Sequence, residues 1–541
     1  MRSNIILIIV SLLLLLASLS LLSSKTNAET GYTVVTVVQA KTMIDTNPSL
    51  FILDVRNQSE YVTGHIRNAH LIPLFQLNTS LGQLNPSDEI LVYCRSGARS
   101  TTASQILAAD GFTHLYNMAG GIVQWETEGY PTYVNYPSIQ AAVDNATAGA
   151  TLYIGSNQYF EHVTINQSIN LIGENSNLAI IDGNGNDTVI SINVDNVSIS
   201  NFKIQYSGCS CAGLYGIDLG TNRNNINITD NTLFSDSIGI TVQNAQNIIV
   251  SGNNISSSRD YSMFIQNSEN IVISGNTFEN NLNQVNVKNS TQMTIVNNIL
   301  TNNGEGLTLQ DSNNNTITGN SFNSNKLEDL YLNQSNNNEI VDNSFLSNET
   351  PVSLLNSICS WDNGFEGNYW SNYTGTDADN DGIGDTPVTI SANNVDHYPL
   401  MGAVTNYPIS PINTVEIASN TTISAFNFAL PHTISFNVSN ADANQTTGFC
   451  RISIPYELIN PANGSIQVII DGGLTQVTLL NSSVYDNGTY RWIYFTFPLT
   501  VHNIVIVPEF SLLLLPLLTA SAAIVLFGFS KIRRRNRKRL T

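Results

Sequence analysis

The residues best suited to chemistry lie around Cys94, where the chain reads Ile-Leu-Val-Tyr-Cys-Arg-Ser-Gly-Ala-Arg-Ser from Ile90 to Ser100. The first four residues are apolar or aromatic and predict a short buried strand. A run with helical spacing starts at Ser100, and a glycine-containing loop joins the two patterns. Cys94 is therefore predicted to lie where a strand meets a helix.

This position would favour a cysteine thiolate that acts as a nucleophile. The free amides of the loop and of the helix N-terminus direct partial positive charge at the sulfur, and Arg95 and Arg99 add full charges. We therefore expect Cys94 to ionise more readily than an ordinary cysteine. A buried structural cysteine is the alternative interpretation. The predicted loop consists of Arg95, Ser96, Gly97, Ala98 and Arg99.

Residues 29–134 resemble the single-domain rhodaneses, which are sulfurtransferases. The loop from Cys94 to Arg99 has six residues, as in that family, whereas the similar loop of cysteine-dependent phosphatases has one more. Apolar strands alternate with helical patterns along the segment, which predicts an α/β fold with a parallel sheet. Further matching residues occur in order along the chain: Leu53-Asp54-Val55-Arg56, Glu60-Tyr61, Gly64-His65-Ile66, Ala69, Ile72-Pro73, Gly111-Phe112, Gly120-Gly121 and Trp125.

The resemblance implies that Cys94 takes sulfur from a donor such as thiosulfate, holds it as a persulfide, and passes it to cyanide or a thiol. It also implies that Arg95 and Arg99 bind the anionic donor and that the loop amides settle the persulfide. No cofactor is required by this chemistry. Small sulfur compounds are the expected partners.

Three further residues are predicted to support the site. Asp54 and Arg56 end a strand, which is where groups border the site of a parallel sheet, and we interpret them as an ion pair beneath the loop. His65 is interpreted as a turn and packing residue rather than a general base. A thiolate that its loop already activates has little need of a base.

Both ends of the chain predict export and a membrane anchor. Arg2, an apolar run from Ile5 to Leu22 and small residues up to Ala28 predict a secretory signal over residues 1–28, with an uncleaved anchor as the alternative. An apolar segment, 511–529, is followed by seven Lys and Arg residues and predicts a transmembrane helix with its tail inside the cell. We expect the protein at the outer face of the cell membrane.

The C-terminal segment, residues 508–541, resembles the archaeal PEF-type sorting signal. Pro508-Glu509-Phe510 stands before the apolar helix and the basic tail, in the order typical of that signal. The resemblance implies that an archaeosortase cleaves the chain there and that a lipid replaces the helix. An intact single-pass anchor is the alternative.

The net charge limits the classes of partner, and the cysteine count limits the disulfide content. Removing the seven cations of the tail from the 21 Lys and Arg residues leaves 14 against 41 Asp and Glu residues, so nucleic acid is excluded as a partner. Many Asn-X-Ser/Thr sequons are consistent with a surface glycoprotein. The five cysteines are too few for a disulfide framework, and the pairing of Cys209, Cys211, Cys359 and Cys450 is left open.

Residues 136–402 contain a repeat of about 22 residues, in which aligned asparagines recur every 22 or 23 residues from Asn231 to Asn343. Apolar pairs at alternate positions lie between them, which predicts a right-handed parallel β-helix with stacked asparagine side chains. The helical spacing from Ile139 to Ala146 predicts a short helix that caps the first rung.

The repeat resembles NosD-like and pectin-lyase-like β-helices, which implies polysaccharide as a partner. The acidic residues do not recur at the repeat period, so we expect the β-helix to be non-catalytic. Clusters of His and Met are missing from the sequence, which argues against the copper role attached to NosD-like proteins.

A metal loop is predicted near the end of the repeat. The residues Asp377, Asp379, Asp381, Ile383 and Asp385 match the first half of an EF-hand-type Ca²⁺ loop. Its twelfth position is Val388, so the usual bidentate Glu is missing. Ca²⁺ bound at 377–385 and a solvated Asp/Gly turn both fit this pattern.

Residues 403–507 show six alternating segments that predict a small β-sandwich stalk, namely 421–428, 433–438, 450–455, 466–470, 476–479 and 490–497. The whole chain is thus expected to be multidomain: an α/β rhodanese domain, a right-handed parallel β-helix, a β-sandwich and a C-terminal transmembrane helix. The first functional hypothesis is a cell-surface sulfurtransferase that works through Cys94. The alternative is a surface glycan-binding or adhesion protein whose rhodanese-like domain senses sulfur or redox state.

Overall fold

The computed structural model describes residues 31–208, 214–346, 351–410, 413–430, 432–440, 447–459, 466–473 and 488–508. The predicted secretory signal, the predicted transmembrane helix and its basic tail lie outside these residues, as do Cys209, Cys211, Glu509 and Phe510. Within the described residues no helix has the length and apolar character needed to cross a bilayer. The chain divides into two compact units, residues 1–290 and 291–541.

The first part of unit 1 is a five-stranded parallel sheet covered by helices, in the order β1-β5-β4-β2-β3. Every residue of β4 is buried, and its side chains alternate between two apolar cores, one on each face of the sheet. This confirms the predicted α/β fold. The elements are β1 Thr33–Val35, α1 Val37–Thr46, β2 Phe51–Asp54, α2 Gln58–Val62, β3 His70–Leu71, α3 Leu74–Ser80, β4 Ile90–Tyr93, α4 Ala98–Ala109, β5 Leu115–Met118 and α5 Gly121–Thr127.

The rest of unit 1 is a β-solenoid that starts with the short helix α6, Ile139–Asp144. Short strands stack in parallel in three sheets, and inward Ile, Val and Leu side chains fill the coil. The first sheet contains β7 Asn157–Phe160, β10 Ala179–Asp182, β13 Lys203–Gln205, β16 Thr232–Phe234, β19 Asn254–Ser256 and β22 Thr277–Glu279. The second contains β8 Val163–Ile165, β11 Ile190–Ile192, β14 Tyr215–Thr221, β17 Ile238–Gln243, β20 Tyr261–Gln266 and β23 Asn283–Lys288. The third contains β6 Thr151–Ile154, β9 Asn170–Gly173, β12 Val197–Ser200, β15 Asn224–Thr229, β18 Gln246–Ser251 and β21 Glu269–Ser274.

The repeated asparagines form a buried ladder, as their spacing predicts. The backbone N–H of Asn231 donates to the side-chain oxygen of Asn253 at 2.9 Å, and the N–H of Asn253 donates to Asn276 at 2.9 Å. Each rung therefore satisfies a turn amide of its neighbour. Asn231 in turn accepts from the N–H of Phe202 at 3.0 Å, so Phe202 holds the position before Asn231 in this ladder.

Unit 2 begins with further parallel rungs in three sheets. The asparagine ladder recurs there, and the N–H of Asn343 donates to the side-chain oxygen of Asn368 at 3.1 Å. The three sheets contain β25 Ile299–Thr301, β28 Ser321–Asn323, β31 Ser344–Phe345 and β33 Tyr369–Trp370; β26 Leu307–Gln310, β29 Leu330–Asn333 and β32 Val352–Leu355; and β24 Thr294–Val296, β27 Thr316–Thr318 and β30 Glu339–Val341. A hairpin of β34 Val388–Ser391 and β35 Asn394–Asp396 follows.

The end of unit 2 is a β-sandwich of two antiparallel four-stranded sheets that share one apolar core. One sheet contains β36 Ala403–Ser410, β37 Asn413–Ser419, β40 Thr447–Pro455 and β42 Tyr490–Pro498. The other contains β38 Thr421–Ala429, β39 Thr433–Asn440, β41 Ile466–Ile470 and β43 His502–Pro508. The sequence pattern did not predict β36, β37 or β43, and the predicted strand at 476–479 lies outside the described residues.

Candidate functional site

Cys94 lies between β4 and α4, in the loop that the sequence predicts. Gly97 precedes the helix with a left-handed φ of 106°, a conformation that glycine adopts without strain. The Gly97 N–H donates to Sγ of Cys94 at 3.1 Å. Only 1% of Cys94 is exposed, so its sulfur lies within the loop rather than on the open surface.

The surroundings of Cys94 favour its thiolate. Burial opposes ionisation, but hydrogen bonds from the amide and hydroxyl of Ser100 and from the amides of Gly97 and Ser96 outweigh burial and lower the pKa of the Cys94 thiol. A lowered thiol pKa, an ordered loop of N–H donors and a helix N-terminus are the features of a reactive cysteine. The other two described cysteines behave differently: burial raises the pKa of Cys359, and it raises that of Cys450 to about 12.

The carbonyl group of Gly97 links the Cys94 loop to the first turn of α4. The carbonyl oxygen of Gly97 accepts a hydrogen bond from the Thr101 hydroxyl at 2.9 Å. The Ser100 hydroxyl lies 3.1 Å from the same carbonyl oxygen and shares its one proton between that oxygen and the Cys94 sulfur. Asn117, on the neighbouring strand β5, donates to the Thr101 hydroxyl at 3.1 Å. The sheet thereby supports the first turn of the helix that carries the loop.

The two loop arginines have different environments. The Arg95 side chain is exposed. Arg99 donates to both carboxylate oxygens of Glu60 on α2, at 2.6 and 2.7 Å, in a pair that is partly exposed. The Arg99 hydrogen bond lowers the pKa of Glu60 to about 2. The sequence pattern includes Glu60 among the rhodanese-like residues but does not identify it as a site residue. Its place three residues after Asn57 fits a helix capping box, which accounts for it as a structural residue.

Asp54 and Arg56 form the buried ion pair that we expected from their position. Arg56 donates from Nε to both Asp54 oxygens, at 3.0 and 2.9 Å, and its terminal nitrogen reaches the Gly64 carbonyl at 2.7 Å. The guanidinium also lies 5.5 Å from the centroid of the Tyr93 ring, directly before Cys94. The pair therefore packs the end of β2 against Tyr93, the residue before Cys94.

His65 is placed as a packing residue, since it is completely buried and stacks on Tyr61 with ring centroids 3.8 Å apart. Its Nδ1 lies 3.1 Å from the Tyr61 carbonyl oxygen, and its Nε2 lies 3.1 Å from a carboxylate oxygen of Glu174 in the solenoid. Glu174 also accepts from the N–H of Asn68 at 2.7 Å. Both ring nitrogens of His65 are therefore engaged away from Cys94.

Comparison with known proteins agrees with this geometry. Residues 36–128 match the model of the rhodanese-like domain. The chain is 37% identical over 124 residues to thiosulfate sulfurtransferase 18 of Arabidopsis thaliana, a match that spans 89% of that protein and 20% of this chain. The chain belongs to the rhodanese-like family. The similarity to sulfurtransferases therefore concerns this domain and not the whole chain.

Two more comparisons describe the rhodanese-like domain. A sulfurtransferase of Allochromatium vinosum is 30% identical over 82 residues, which covers 77% of that protein and 15% of this chain. The crystal structure of a rhodanese-related protein from Thermoplasma volcanium is 29% identical and covers 18% of this chain and 96% of that one, with a TM-score of 0.17.

The solenoid matches a second family model, described as periplasmic copper-binding protein (NosD), over residues 108–375. This confirms the fusion of a rhodanese-like domain with a NosD-like β-solenoid. Within the described residues, the groups whose donor atoms are close enough to hold a metal consist only of carboxylates. Copper prefers imidazole, thiolate or thioether donors, so these groups do not fit it.

The predicted Ca²⁺ loop brings Asp377, Asp379 and Asp381 together, with oxygens within 4.8 Å of one another. The Asp377 carboxylate already accepts from the N–H groups of Asp381 and Gly382, at 3.0 and 2.9 Å. Asp385 accepts from the N–H of Ala378 at 2.8 Å, and Ile383 is buried. The loop is ordered by its own amides, and its Ca²⁺ site stays a prediction.

Gly121 allows α5 to pack closely against the backbone of the Cys94 loop. Gly121 has a φ of 60° at the start of α5, and a Cβ there would lie 2.5 Å from the carbonyl oxygens of Cys94 and Arg95. The same carbonyls accept from the N–H groups of Ile122 at 2.9 Å and Val123 at 3.1 Å. Helix α5 therefore fixes the backbone on which Cys94 stands.

Proposed function

We propose that the rhodanese-like domain transfers sulfur through a persulfide on Cys94. The thiolate attacks the outer sulfur of thiosulfate, an S–S bond forms, and sulfite leaves with the electron pair of the broken S–S bond. The observation that carries this proposal is the hydrogen bond of 3.1 Å from the Gly97 N–H to the Cys94 sulfur. Donors placed in this way would stabilise both the attacking thiolate and the anionic persulfide.

The second half of the cycle returns the enzyme to its starting state. Cyanide or a thiolate attacks the outer persulfide sulfur, and Cys94 leaves as a thiolate. Thiocyanate or an acceptor persulfide is the product, and no external oxidant or reductant is consumed. The low pKa of the Cys94 thiol favours its departure.

The two arginines would divide the binding of the donor. The exposed side chain of Arg95 is able to meet an anion at the mouth of the loop. Arg99 is held by Glu60, so its charge acts from a fixed position at the end of the loop. We assign donor capture to Arg95 and loop electrostatics to Arg99.

A thiosulfate–cyanide assay tests this function. The full chain should form thiocyanate, and Cys94→Ser should abolish it. Cys359→Ser, which replaces another buried cysteine, is the matched control and should keep the activity. Equal thiocyanate formation by wild type and Cys94→Ser would refute the proposal.

The cellular setting is a separate proposal that rests on sequence. Residues 1–28 and 508–541 carry the export and anchoring patterns, and on that basis we propose display at the outer face of the cell membrane, with cleavage by an archaeosortase as one route of anchoring. Protease treatment of intact cells should then remove the rhodanese-like domain. Protection of the domain in intact cells would contradict surface display.

Polysaccharide binding by the solenoid is a second candidate, supported by an aromatic surface on its first sheet. Phe160 is 65% exposed and Tyr206 is 41% exposed, and Tyr206 packs against the edge of Phe234. Asp182 and Gln205 lie between Phe160 and Phe234 in the strand register. Gln205 donates to Asp182 at 2.7 Å and both are buried, so the exposed aromatic rings are the groups that would meet a sugar ring. Binding to a glycan array that Phe160→Ala abolishes would support this function, and unchanged binding would argue against it.

A further inference from the structure

Three carboxylates from separate elements meet in a cavity of unit 2. Asp342 follows β30, Glu366 precedes β33, and Glu416 lies on β37. One oxygen from each side chain lies within 4.8 Å of the others. All three line a cavity of about 480 Å³. We call Asp342, Glu366 and Glu416 the carboxylate triad.

A row of polar side chains on the sandwich faces the same cavity. Across neighbouring strands, Asn406 pairs with Glu416, and Glu416 pairs with Ser453. Ser453 in turn pairs with Trp492, and all four residues line the cavity. Carboxamide and hydroxyl oxygens therefore lie beside the carboxylates, which is the ligand chemistry of a hard cation.

Arg451 brings one positive charge to the triad, and its terminal nitrogen also donates to the Asp381 carbonyl at 2.8 Å. Arg451 donates from Nε to one oxygen of Glu366 at 2.7 Å, and the Trp492 indole donates to the other at 2.8 Å. These contacts hold Glu366 in place. With all three carboxylates ionised, the single guanidinium leaves two negative charges to be balanced.

Asp342 has a buried oxygen without a partner among the described residues, which indicates that a ligand belongs here. Its Oδ1 is shielded from solvent and accepts no hydrogen bond from any part of the chain that the structure describes. A buried polar oxygen without a partner is costly and rare in folded proteins. Burial and the neighbouring carboxylates also raise the pKa of Asp342 and of Glu416, and the charge of Arg451 offsets this only in part.

We propose that Asp342, Glu366 and Glu416 bind a divalent cation of the calcium type, which joins the last solenoid rungs to the sandwich. Calcium takes oxygen ligands at about 2.3–2.6 Å, so any two of its ligands lie no more than about 5 Å apart. The triad oxygens, all within 4.8 Å of one another, meet this limit. Two positive charges balance the two that Arg451 leaves. The triad shares no residue with the Cys94 site, so it does not depend on the sulfur chemistry. It also shares no carboxylate with the loop at 377–385, to which it is linked through Arg451.

Calorimetric titration of the full chain with CaCl₂, after removal of metals by EDTA, tests the site. Asp342→Asn and Glu416→Gln should each lose one bound Ca²⁺ per chain. Glu339→Gln changes an exposed carboxylate on β30, three residues before Asp342, as a matched control and should lose none, while Asp379→Asn separates any binding at 377–385. Equal Ca²⁺ stoichiometry in wild type, Asp342→Asn and Glu416→Gln would overturn the proposal.

Thermal unfolding distinguishes a cation site from a purely structural role. In EDTA, Asp342→Asn should unfold at the same or a higher temperature than wild type, because it removes an unbalanced charge. Added Ca²⁺ should raise the unfolding temperature of wild type and of Glu339→Gln but have a much smaller effect on Asp342→Asn. Equal Ca²⁺-dependent shifts in all three proteins, or a shift in none, would contradict the site.

Discussion

Arg99 and Glu60 form a two-pronged ion pair that fastens the end of the Cys94 loop to helix α2. The terminal nitrogens of Arg99 lie 2.6 and 2.7 Å from the two carboxylate oxygens, across 39 residues of sequence. The geometry fixes the plane of the guanidinium, which single-point contacts would not do. The position of positive charge beside the sulfur thus depends on a residue outside the loop.

Glu60→Gln should weaken thiosulfate use by releasing Arg99 from its fixed position. A loss of about 1.4 kcal/mol, close to that of a charge-assisted hydrogen bond, corresponds to about a tenfold fall in kcat/KM, and we expect it chiefly in kcat, because Arg99 acts on the electrostatics of the loop and Arg95 captures the donor. Glu128→Gln alters an exposed carboxylate of the same domain and should have no effect. Steady-state kinetics that are unchanged in Glu60→Gln would show that Arg99 does not need this partner.

The Glu60–Arg99 pair stabilises the fold only over a defined pH range. Because the pKa of Glu60 is lowered to about 2 in the folded protein, the pair contributes stability above the ordinary Glu pKa and loses it as the pH falls toward 2. The stability difference between wild type and Glu60→Gln, measured by urea unfolding, should therefore shrink on acidification from pH 5 to pH 3. A constant difference over that range would argue against the pair.

Ser100→Ala should shift the reactivity of Cys94 to higher pH. The Ser100 hydroxyl helps to lower the pKa of the Cys94 thiol, so its removal leaves less thiolate at neutral pH. Iodoacetamide alkylation followed by peptide mapping over a pH series measures the midpoint. Ser96→Ala keeps the backbone N–H at Ser96 and should leave the midpoint unchanged. Cys450, whose pKa is raised to about 12, should stay unmodified and serves as an internal reference.

Gly121→Ala should destabilise the rhodanese-like domain more than Gly129→Ala. Both glycines have a positive φ, but a Cβ at 129 meets open space, whereas one at 121 lies 2.5 Å from two backbone oxygens. The left-handed conformation alone costs about 1–2 kcal/mol for a residue with a side chain, and the clash adds to that at Gly121 only. Urea unfolding measures both variants. Equal losses in the free energy of unfolding would mean that α5 shifts away from the Cys94 and Arg95 carbonyls at no cost.

Glu174→Gln should weaken the packing between the rhodanese-like domain and the first solenoid rungs. The carboxylate accepts from the N–H groups of Asn68 and Ser156 and contacts Nε2 of His65, all with little exposure to solvent. An amide would put donors against at least one of these groups, so we expect a loss of about 1–3 kcal/mol in the free energy of unfolding. Glu269→Gln, an exposed carboxylate of the solenoid, is the control and should change little.

Local and periodic features could be predicted from the sequence. The turn at Cys94 follows from an apolar run, a glycine and a helical pattern within eleven residues, from Ile90 to Ser100. The asparagine ladder follows from a spacing that repeats once per rung. In both cases the signal lies within one segment or recurs at a fixed interval, so no knowledge of distant contacts is needed.

Contacts between distant segments could not be predicted in this way. Glu60 meets Arg99 across 39 residues, and Glu174 meets His65 across 109. The carboxylate triad combines three elements whose residues show no shared motif. Strand β36 was missed because its exposure does not alternate along the chain, so it lacks the period of two that identifies a half-buried strand.

The mass of the Cys94 peptide after thiosulfate treatment tests the sulfurtransferase function most directly. The full chain is incubated with thiosulfate without cyanide, digested and measured by mass spectrometry. We predict that the peptide containing Cys94 gains the mass of one sulfur atom, that the peptide containing Cys359 does not, and that added cyanide removes the gain. A Cys94 peptide of unchanged mass, from a protein whose Cys94 still reacts with iodoacetamide, would contradict persulfide chemistry at this site.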